Sequence, residues 1–408
     1  MHLSDRDTAT LGGELGEAPR VALELVVAAG EAMGANQLLD ITGAHIDGCL
    51  YHGLAGLDFA QRLADAGGGV LVPTTLNVSS LDLLHPDLYR GDAETARRAR
   101  QLTHAYEQMG CRATWTCAPY QLSNRPALGD QVAWGESNAI VFANSVLGAR
   151  TNRYGDFLDI CCALTGRAPA VGLHTDDGRC ATMALDVAVP DSWLDDDLFY
   201  VGLGIVLGQA AGSRVATITG LDERAGEDRL KALGAAAASS GAVGMFHVAG
   251  VTPESATLGS DPGGTRVAVD TSTIMTALQE LSNGSNGELG AVSVGTPHAS
   301  EAELLALADL MGGRRALVPF YVNTARDTAA NLPSAVASIE GFGASIVTDT
   351  CTYITPIIGE VDGVVMTNSG KWAYYAPANI GVEVALGSLK DCVESAVVGK
   401  VVTTGRLA

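Results

Sequence analysis

Short apolar runs of strand length alternate with helix-periodic segments along almost the whole chain, and few architectures other than helix-covered, mostly parallel sheets accept that pattern. In the first half, Arg20 to Met33, Gly56 to Ala66 and Ala93 to Met109 carry helical spacing, and Leu38 to Thr42, Gly69 to Pro73 and Arg112 to Thr116 read as strands. Ser4 is placed to cap the first helix, with Asp5 and Asp7 in its first turn. In the second half, strands are expected at Ser213–Thr219, Ala242–Val248, Leu289–Val294, Ala316–Val322, Ala344–Asp349 and Gly363–Thr367. The helices between them are expected at Arg229–Ser240, Ser300–Met311 and Ser334–Glu340, with polar turns at 223–228 and 283–288. The expectation is an α/β chain of Rossmann-like βαβ units. Its 408 residues exceed what one simple core holds, so two or three lobes are expected, dividing roughly into 1–200 and 201–408.

Charge and cysteines narrow the function classes. A formal net charge of −21 repels phosphate backbones and argues against nucleic-acid binding. The start, Met1 to Asp7, is polar and acidic, so no secretory signal is read there, and the eight cysteines are expected to be reduced thiols of a cytoplasmic protein. The most apolar stretch, Leu198 to Gly212, is interrupted by glycines and Gln209 and falls short of the ~18 residues of a membrane span.

Chemistry-bearing residues gather just after the expected strands, where open α/β folds bind ligands. Thr116-Cys117-Ala118-Pro119-Tyr120 and Asp349-Thr350-Cys351-Thr352-Tyr353 each place a thiol at a strand-to-loop junction. Such a thiol can ligate a metal or simply be buried, and no close Cys spacing decides between the two. Val294-Gly295-Thr296-Pro297-His298-Ala299-Ser300 reads as strand, turn and capped helix start, a place for an anion or plain capping. Glu136, Ser137 and Asn138 follow Trp134-Gly135, and Arg150, Asn152 and Arg153 follow in an otherwise apolar context. The arginines suit a substrate carboxylate, or equally a salt-bridge network with Asp156 and Asp159. Thr367-Asn368-Ser369-Gly370-Lys371 resembles an anion-binding turn without the glycine run of a P-loop. His45, in Thr42 to Gly48, is a candidate acid or base, although a lone histidine is more often structural.

Taken together, the segments around Cys117, Trp134 to Asp156, Gly295-Thr296-Pro297-His298, Asp349-Thr350-Cys351 and Ser369-Gly370-Lys371 resemble the aconitase X large domain over nearly the whole chain. The resemblance implies a dehydratase with a fold like the catalytic lobes of aconitase, residues 1–408 forming one catalytic domain. It also implies an iron–sulfur cluster with Cys117 and Cys351 among its ligands, and a separate small swivel-domain subunit carrying a catalytic serine. The branch acting on mevalonate 5-phosphate resembles Gly-Cys-Pro-His where this chain has Thr296, so one thiolate is missing and a [2Fe–2S] cluster is implied. The Thr-bearing version resembles the branch that dehydrates cis-3-hydroxy-L-proline. Lys371, Glu136, Ser137 and His45 are then the catalytic candidates. Asn138, Arg150, Asn152, Arg153, Thr296, His298 and Ser369 are the candidates for substrate binding. Mevalonate 5-phosphate dehydration, and a non-catalytic scaffold subunit, stand as the alternatives.

Overall fold

In the computed structural model, which describes residues 1–260, 262–284 and 287–404, the alternation appears as three parallel sheets and one short antiparallel ladder. The ladder pairs β1 (Leu38–Asp40) with β5 (Arg167–Pro169). The first sheet is built from β2 (Gly43–Ile46), β3 (Thr74–Leu76) and β4 (Val132–Trp134), in the order β3-β2-β4. The second holds β6 (Met183–Val187), β7 (Ala216–Thr219), β8 (Phe246–Val248) and β9 (Thr265–Val269), in the order β8-β7-β6-β9. The third holds β10 (Leu289–Ala299), β11 (Phe320–Thr324), β12 (Ala344–Val347), β13 (Val364–Thr367) and β14 (Val384–Leu386).

The third sheet runs β12-β11-β10-β13-β14, with every pairing parallel. From β10 the chain winds outward through β11 and β12, then returns to add β13 and β14 on the other side. The winding therefore reverses between β10 and β13. At such a switch point the two following loops part and leave a crevice beyond the carboxyl ends of the strands. Thr296 to His298 lie toward the carboxyl end of β10, and Asn368 to Lys371 directly follow β13.

Between the sheets, the helix Asp197–Ala211 lies against the helix Glu227–Ser240. The first is the apolar stretch of the sequence. It is 15 residues long and buried along most of its length, and among the described residues no helix is long and apolar enough to cross a membrane. Gly204 and Gly208 set its closeness to the neighbour: a Cβ on Gly204 would collide with the Leu233 carbonyl and the Ala236 methyl. The central core formed there also takes in Cys117, Cys351, Tyr353 and Trp372, so the site residues are embedded in the packing rather than laid over it.

Two expected strands are displaced. The segment 69–73 is irregular and the strand begins at Thr74, since Pro73 offers no N–H to a ladder. Arg112 to Thr116 forms only one bridge, Arg112 to Thr75. Thereafter the Thr114 hydroxyl bonds Leu76 N–H and C=O at 3.0 and 2.9 Å, the Thr116 N–H reaches the same carbonyl at 3.2 Å, and Trp115 turns to φ 44°. Ser4 caps its helix in a reciprocal box with Asp7, and Ser300 caps the helix Glu301–Met311 in another with Glu303. Of the expected turn at 283–288, residues 285 and 286 lie outside the described residues.

Replacing Gly204 with alanine overpacks the two central helices. A loss of about 1–3 kcal/mol in unfolding free energy is expected from chemical denaturation; a loss of a few tenths would show that these helices part freely.

Candidate active site

Cys117 and Cys351 come from different sheets and meet with their sulfurs 4.0 Å apart, both fully enclosed. A disulfide needs about 2.05 Å. Two thiolates on one tetrahedral metal, each at about 2.3 Å, stand about 3.8 Å apart. The donor set therefore fits a metal centre. His298 completes a group of three whose ligand-capable atoms lie within 4.8 Å of one another.

Electrostatics separates the two thiols. Burial opposes a charge on Cys117, but the Cys351 hydrogen bond and the nearby His298 and Lys371 hold it below the ordinary thiol range. The hydrogen bond with Cys117, and then burial, push Cys351 far above that range. The shared hydrogen bond thus favours the negative charge on Cys117 over Cys351, and a bound metal would call for both sulfurs as thiolates. The backbone N–H of His298 points at Cys117 Sγ, 3.3 Å away, and the His298 ring is clamped by Thr116 Oγ1 and the Thr350 carbonyl, each at 3.1 Å.

Next to the thiols lies a buried ion pair, Lys371 Nζ with Glu136 Oε1. Glu136 caps the helix Ser137–Phe142 and accepts from Ala139 N–H at 2.8 Å, from Ser137 Oγ at 3.2 Å and from the Asn138 amide. Asn138 also donates to the Cys117 carbonyl at 3.1 Å and accepts from Tyr120 at 2.8 Å. Burial disfavours the Lys371 ammonium, yet Glu136, Tyr353 and Cys117 hold it charged, well above the ordinary lysine range.

The loop bearing Cys351 is pinned from several sides. Asp349 sits at φ +61°, a conformation Asp tolerates better than most residues. It is gripped through both carboxylate oxygens by Arg326, at 2.8 and 2.6 Å. Asn323 accepts from Thr352 N–H at 3.1 Å, and Trp372 Nε1 donates to Thr352 Oγ1 at 3.0 Å.

The predicted residues divide. Cys117, Cys351, Glu136, Ser137, Asn138, Thr296, His298, Ser369 and Lys371 converge around the crevice. Arg150, Asn152 and Arg153 do not. Arg150 pairs with Asp176 at 2.6 Å and Glu254 at 3.2 Å, in a network with the wholly buried Arg179. The salt-bridge reading of Arg150 was thus the better one, but with partners other than Asp156 and Asp159. Arg153 is exposed and reaches the Val243 carbonyl at 3.1 Å. Asn152 bonds the Val171 carbonyl at 2.9 Å and Leu173 N–H at 2.8 Å. Their polar character serves packing: Arg150 and Arg153 meet partners from the second half of the chain, and Asn152 bonds within the first.

His45 also stands apart. Its ring bonds Thr75 at 2.8 Å and leans on Trp134, and burial holds it near 3, so it carries no proton at neutral pH. The residue two places on, Asp47, lies just past the end of β2 and close enough to Glu136 for their charges to repel. Reading the segment for its histidine missed this carboxylate. Asn77 bonds it, and Asp159 accepts the Asp47 N–H at 2.7 Å. Burial, then Glu136, Asp156 and Asp159, raise Asp47 to about 8; burial raises Asp159 to about 7.

Residues 1–177, 181–280 and 289–398 match, in order, the aconitase X first, second and third domains. The chain is 43% identical over 405 residues to the cis-3-hydroxy-L-proline dehydratase of Pseudomonas aeruginosa, covering 97% of this chain and 70% of that protein. It is 36% identical over 403 residues to the phosphomevalonate dehydratase large subunit of Methanosarcina mazei, covering 98% of each. The crystal structure of Thermococcus kodakaraensis aconitase X in its holo-form is similar with a TM-score of 0.88 and 32% identity, over 97% of this chain and 100% of that one.

The raised carboxylates fix the sign of a pH effect. The fold binds protons on Asp47 and Asp159 that the unfolded chain releases near pH 4, so their contribution is complete below that pH and is lost as pH rises through 7 to 8. Unfolding free energy is expected to fall over pH 5–8, with a shallower slope in Asp47→Asn. An unchanged slope in that variant would show that Asp47 is already ionised.

Proposed function

The chain belongs to the aconitase X family, and from that premise we propose that it is the catalytic large subunit of a cytoplasmic hydro-lyase that dehydrates cis-3-hydroxy-L-proline to pyrroline-2-carboxylate. The observation that carries the proposal is the pair of buried thiols beside the Lys371 ammonium at the β10/β13 crevice. The identity to named cis-3-hydroxy-L-proline dehydratases, 43% and 42%, supports the substrate. The eight free cysteines support a reducing compartment.

Cys117 and Cys351 would hold an iron–sulfur cluster, and two thiols favour [2Fe–2S] over a cluster needing three. When bound, the cluster supplies a Lewis acid for the leaving hydroxyl. The residues of this chain do the rest of the work assigned to it. Lys371 Nζ, kept protonated, stabilises the charge that gathers on the substrate carboxylate as a base, on this reading the small subunit's serine, takes the α proton and the hydroxyl leaves as water. Glu136 aims that ammonium and is itself fixed by Ser137, Asn138 and the Ala139 N–H. His298 places Cys117 through its backbone N–H, with its ring anchored on Thr116 and the Thr350 carbonyl. A small swivel-domain subunit with a catalytic serine would cover the crevice and make the enzyme a heterodimer; the name of the Methanosarcina relative, a large subunit, supports such a partner.

Mevalonate 5-phosphate is the weaker substrate. A phosphate dianion calls for cations to spare, and Lys371 and Arg150 are already paired.

Purified complex is expected to turn over cis-3-hydroxy-L-proline at least 100-fold faster than mevalonate 5-phosphate, and the reverse ratio would overturn the substrate. Cys117→Ser and Cys351→Ser should each lower iron content and visible absorbance, while Lys371→Met should keep the iron and lose at least 100-fold in kcat/KM. Iron retained in both cysteine variants would remove the cluster assignment, and with it the case against a mere scaffold.

A further inference from the structure

The crevice between β10 and β13 closes on a small cavity of about 40 Å³, lined among others by Thr296, Asn368, Ser369, Gly370 and Lys371. A space of that size admits a small polar head group. Two enclosed side-chain atoms on its wall lack a partner: Oγ1 of the buried Thr296 and Oδ1 of the half-buried Asn368. Thr296 as a whole is only 7% exposed. An enclosed hydroxyl and amide oxygen without partners each cost about 1–3 kcal/mol unless something arrives to bond them.

The same cavity receives the start of the helix Gly370–Ile380. Ser369 Oγ takes the Trp372 N–H at 3.1 Å, and the Ser369 carbonyl takes that of Ala373 at 2.9 Å. The N–H groups of Gly370 and Lys371 are left without a partner in the helix. Their position is rigid, because a Cβ on Gly370 would strike Val201 and the helix is held tight against the central pair.

The fixed charges of the wall are balanced. Lys371 is paired with Glu136, and Lys231, on the far side, with Glu303 and with Asp228 at 3.0 Å. Beside the Lys371 ammonium, what remains to meet a ligand is a cluster of neutral donors and one acceptor. We propose that this cavity recognises the head group of an α-amino acid. The Thr296 hydroxyl and the Gly370 and Lys371 N–H groups bond its carboxylate, and Asn368 Oδ1 accepts from its α-ammonium. The inference rests on the dehydratase reading for the reacting substrate, and it adds that the α-amino group is read here, by Asn368.

The test uses the holoenzyme with its small subunit and three probes: L-proline, tetrahydrofuran-2-carboxylate, which lacks the N–H, and prolinamide, which lacks the anion. By calorimetry, wild type should bind L-proline at least 10-fold more tightly than either analogue. Thr296→Val should weaken both carboxylates at least 10-fold. Asn368→Ala should weaken L-proline by that factor and leave tetrahydrofuran-2-carboxylate within 2-fold, with iron content unchanged in both variants. A crystal structure of the L-proline complex should place the carboxylate between Thr296 and the Gly370 N–H. Density for it elsewhere, or variants that bind L-proline as wild type does, would overturn the proposal. Turnover of cis-3-hydroxy-L-proline by wild type is read separately: its absence removes the substrate assignment, while its presence with unaffected variants removes only the cavity.

Discussion

Two buried thiols, brought from opposite halves of the chain, stand 4.0 Å apart inside the core. Left alone, such a pair is unfavourable, because burial resists the thiolate and neither sulfur packs as well as a carbon would. The surrounding structure forces the meeting. Cys351 follows a residue held at φ +61° by a two-pronged Arg326 contact, and Asp82, from the first lobe, accepts from both Thr348 N–H and its hydroxyl at 2.8 and 3.0 Å. Ser79 N–H reaches the Asp349 carbonyl at 2.6 Å. The first and third sheets are therefore stitched together at the loop that carries the second sulfur, and the geometry of the thiols is a property of that seam.

The seam also explains why the charge beside it is kept as a pair. A lysine and a glutamate this deeply enclosed gain little over apolar residues of the same size, and removing one member costs about 3–5 kcal/mol. Such a pair is retained where a fixed ammonium is useful. Glu136 spends its other lone pairs on the Ala139 N–H, Ser137 and Asn138, so only one orientation remains for Lys371. The Arg150–Glu254–Arg179 network obeys the same rule with a different outcome: its arginines bond carbonyls and carboxylates on every side and nothing is left for a ligand.

That contrast marks what could be read from the sequence. Alternating strand and helix patterns located the sheets, and residues placed just after strands, such as Cys117, Glu136, Cys351 and Lys371, did come together. Periodicity reports which face of an element is apolar, and strand ends follow from it. It does not report which partner a charged residue meets across a lobe. Glu254 lies about a hundred residues from Arg150, and no local signal distinguishes it from Asp156 or Asp159. His45 misled for a related reason. On a strand whose two faces are both covered, its side chain went inward to Thr75 and Trp134, while the neighbouring end of the strand carried Asp47 toward Glu136. The Asn368 amide stood inside a segment read as an anion-binding turn, yet its unpaired oxygen becomes visible only once β10 and β13 are side by side.

Thr296 ties the metal and the substrate questions into one. In the resembling branch that carries Cys at this place, a thiolate would take up a metal bond and leave the wall of the crevice without a hydroxyl. Here the side chain keeps its oxygen free, next to a helix start whose N–H groups are also free. The Ser369 hydroxyl fixes the backbone by bonding the Thr296 carbonyl. Gly295, at φ +82°, lets the strand pass so close to Asn323 that a Cβ would run into its carbonyl. The backbone at 295–298 is thus held in place whatever the side chain at 296 is. On the reading proposed above, an exchange of Thr for Cys there would trade a substrate donor for a metal ligand, a physical route by which one fold could divide between a cluster held by three thiolates and a smaller one, and between a phosphorylated substrate and an amino acid.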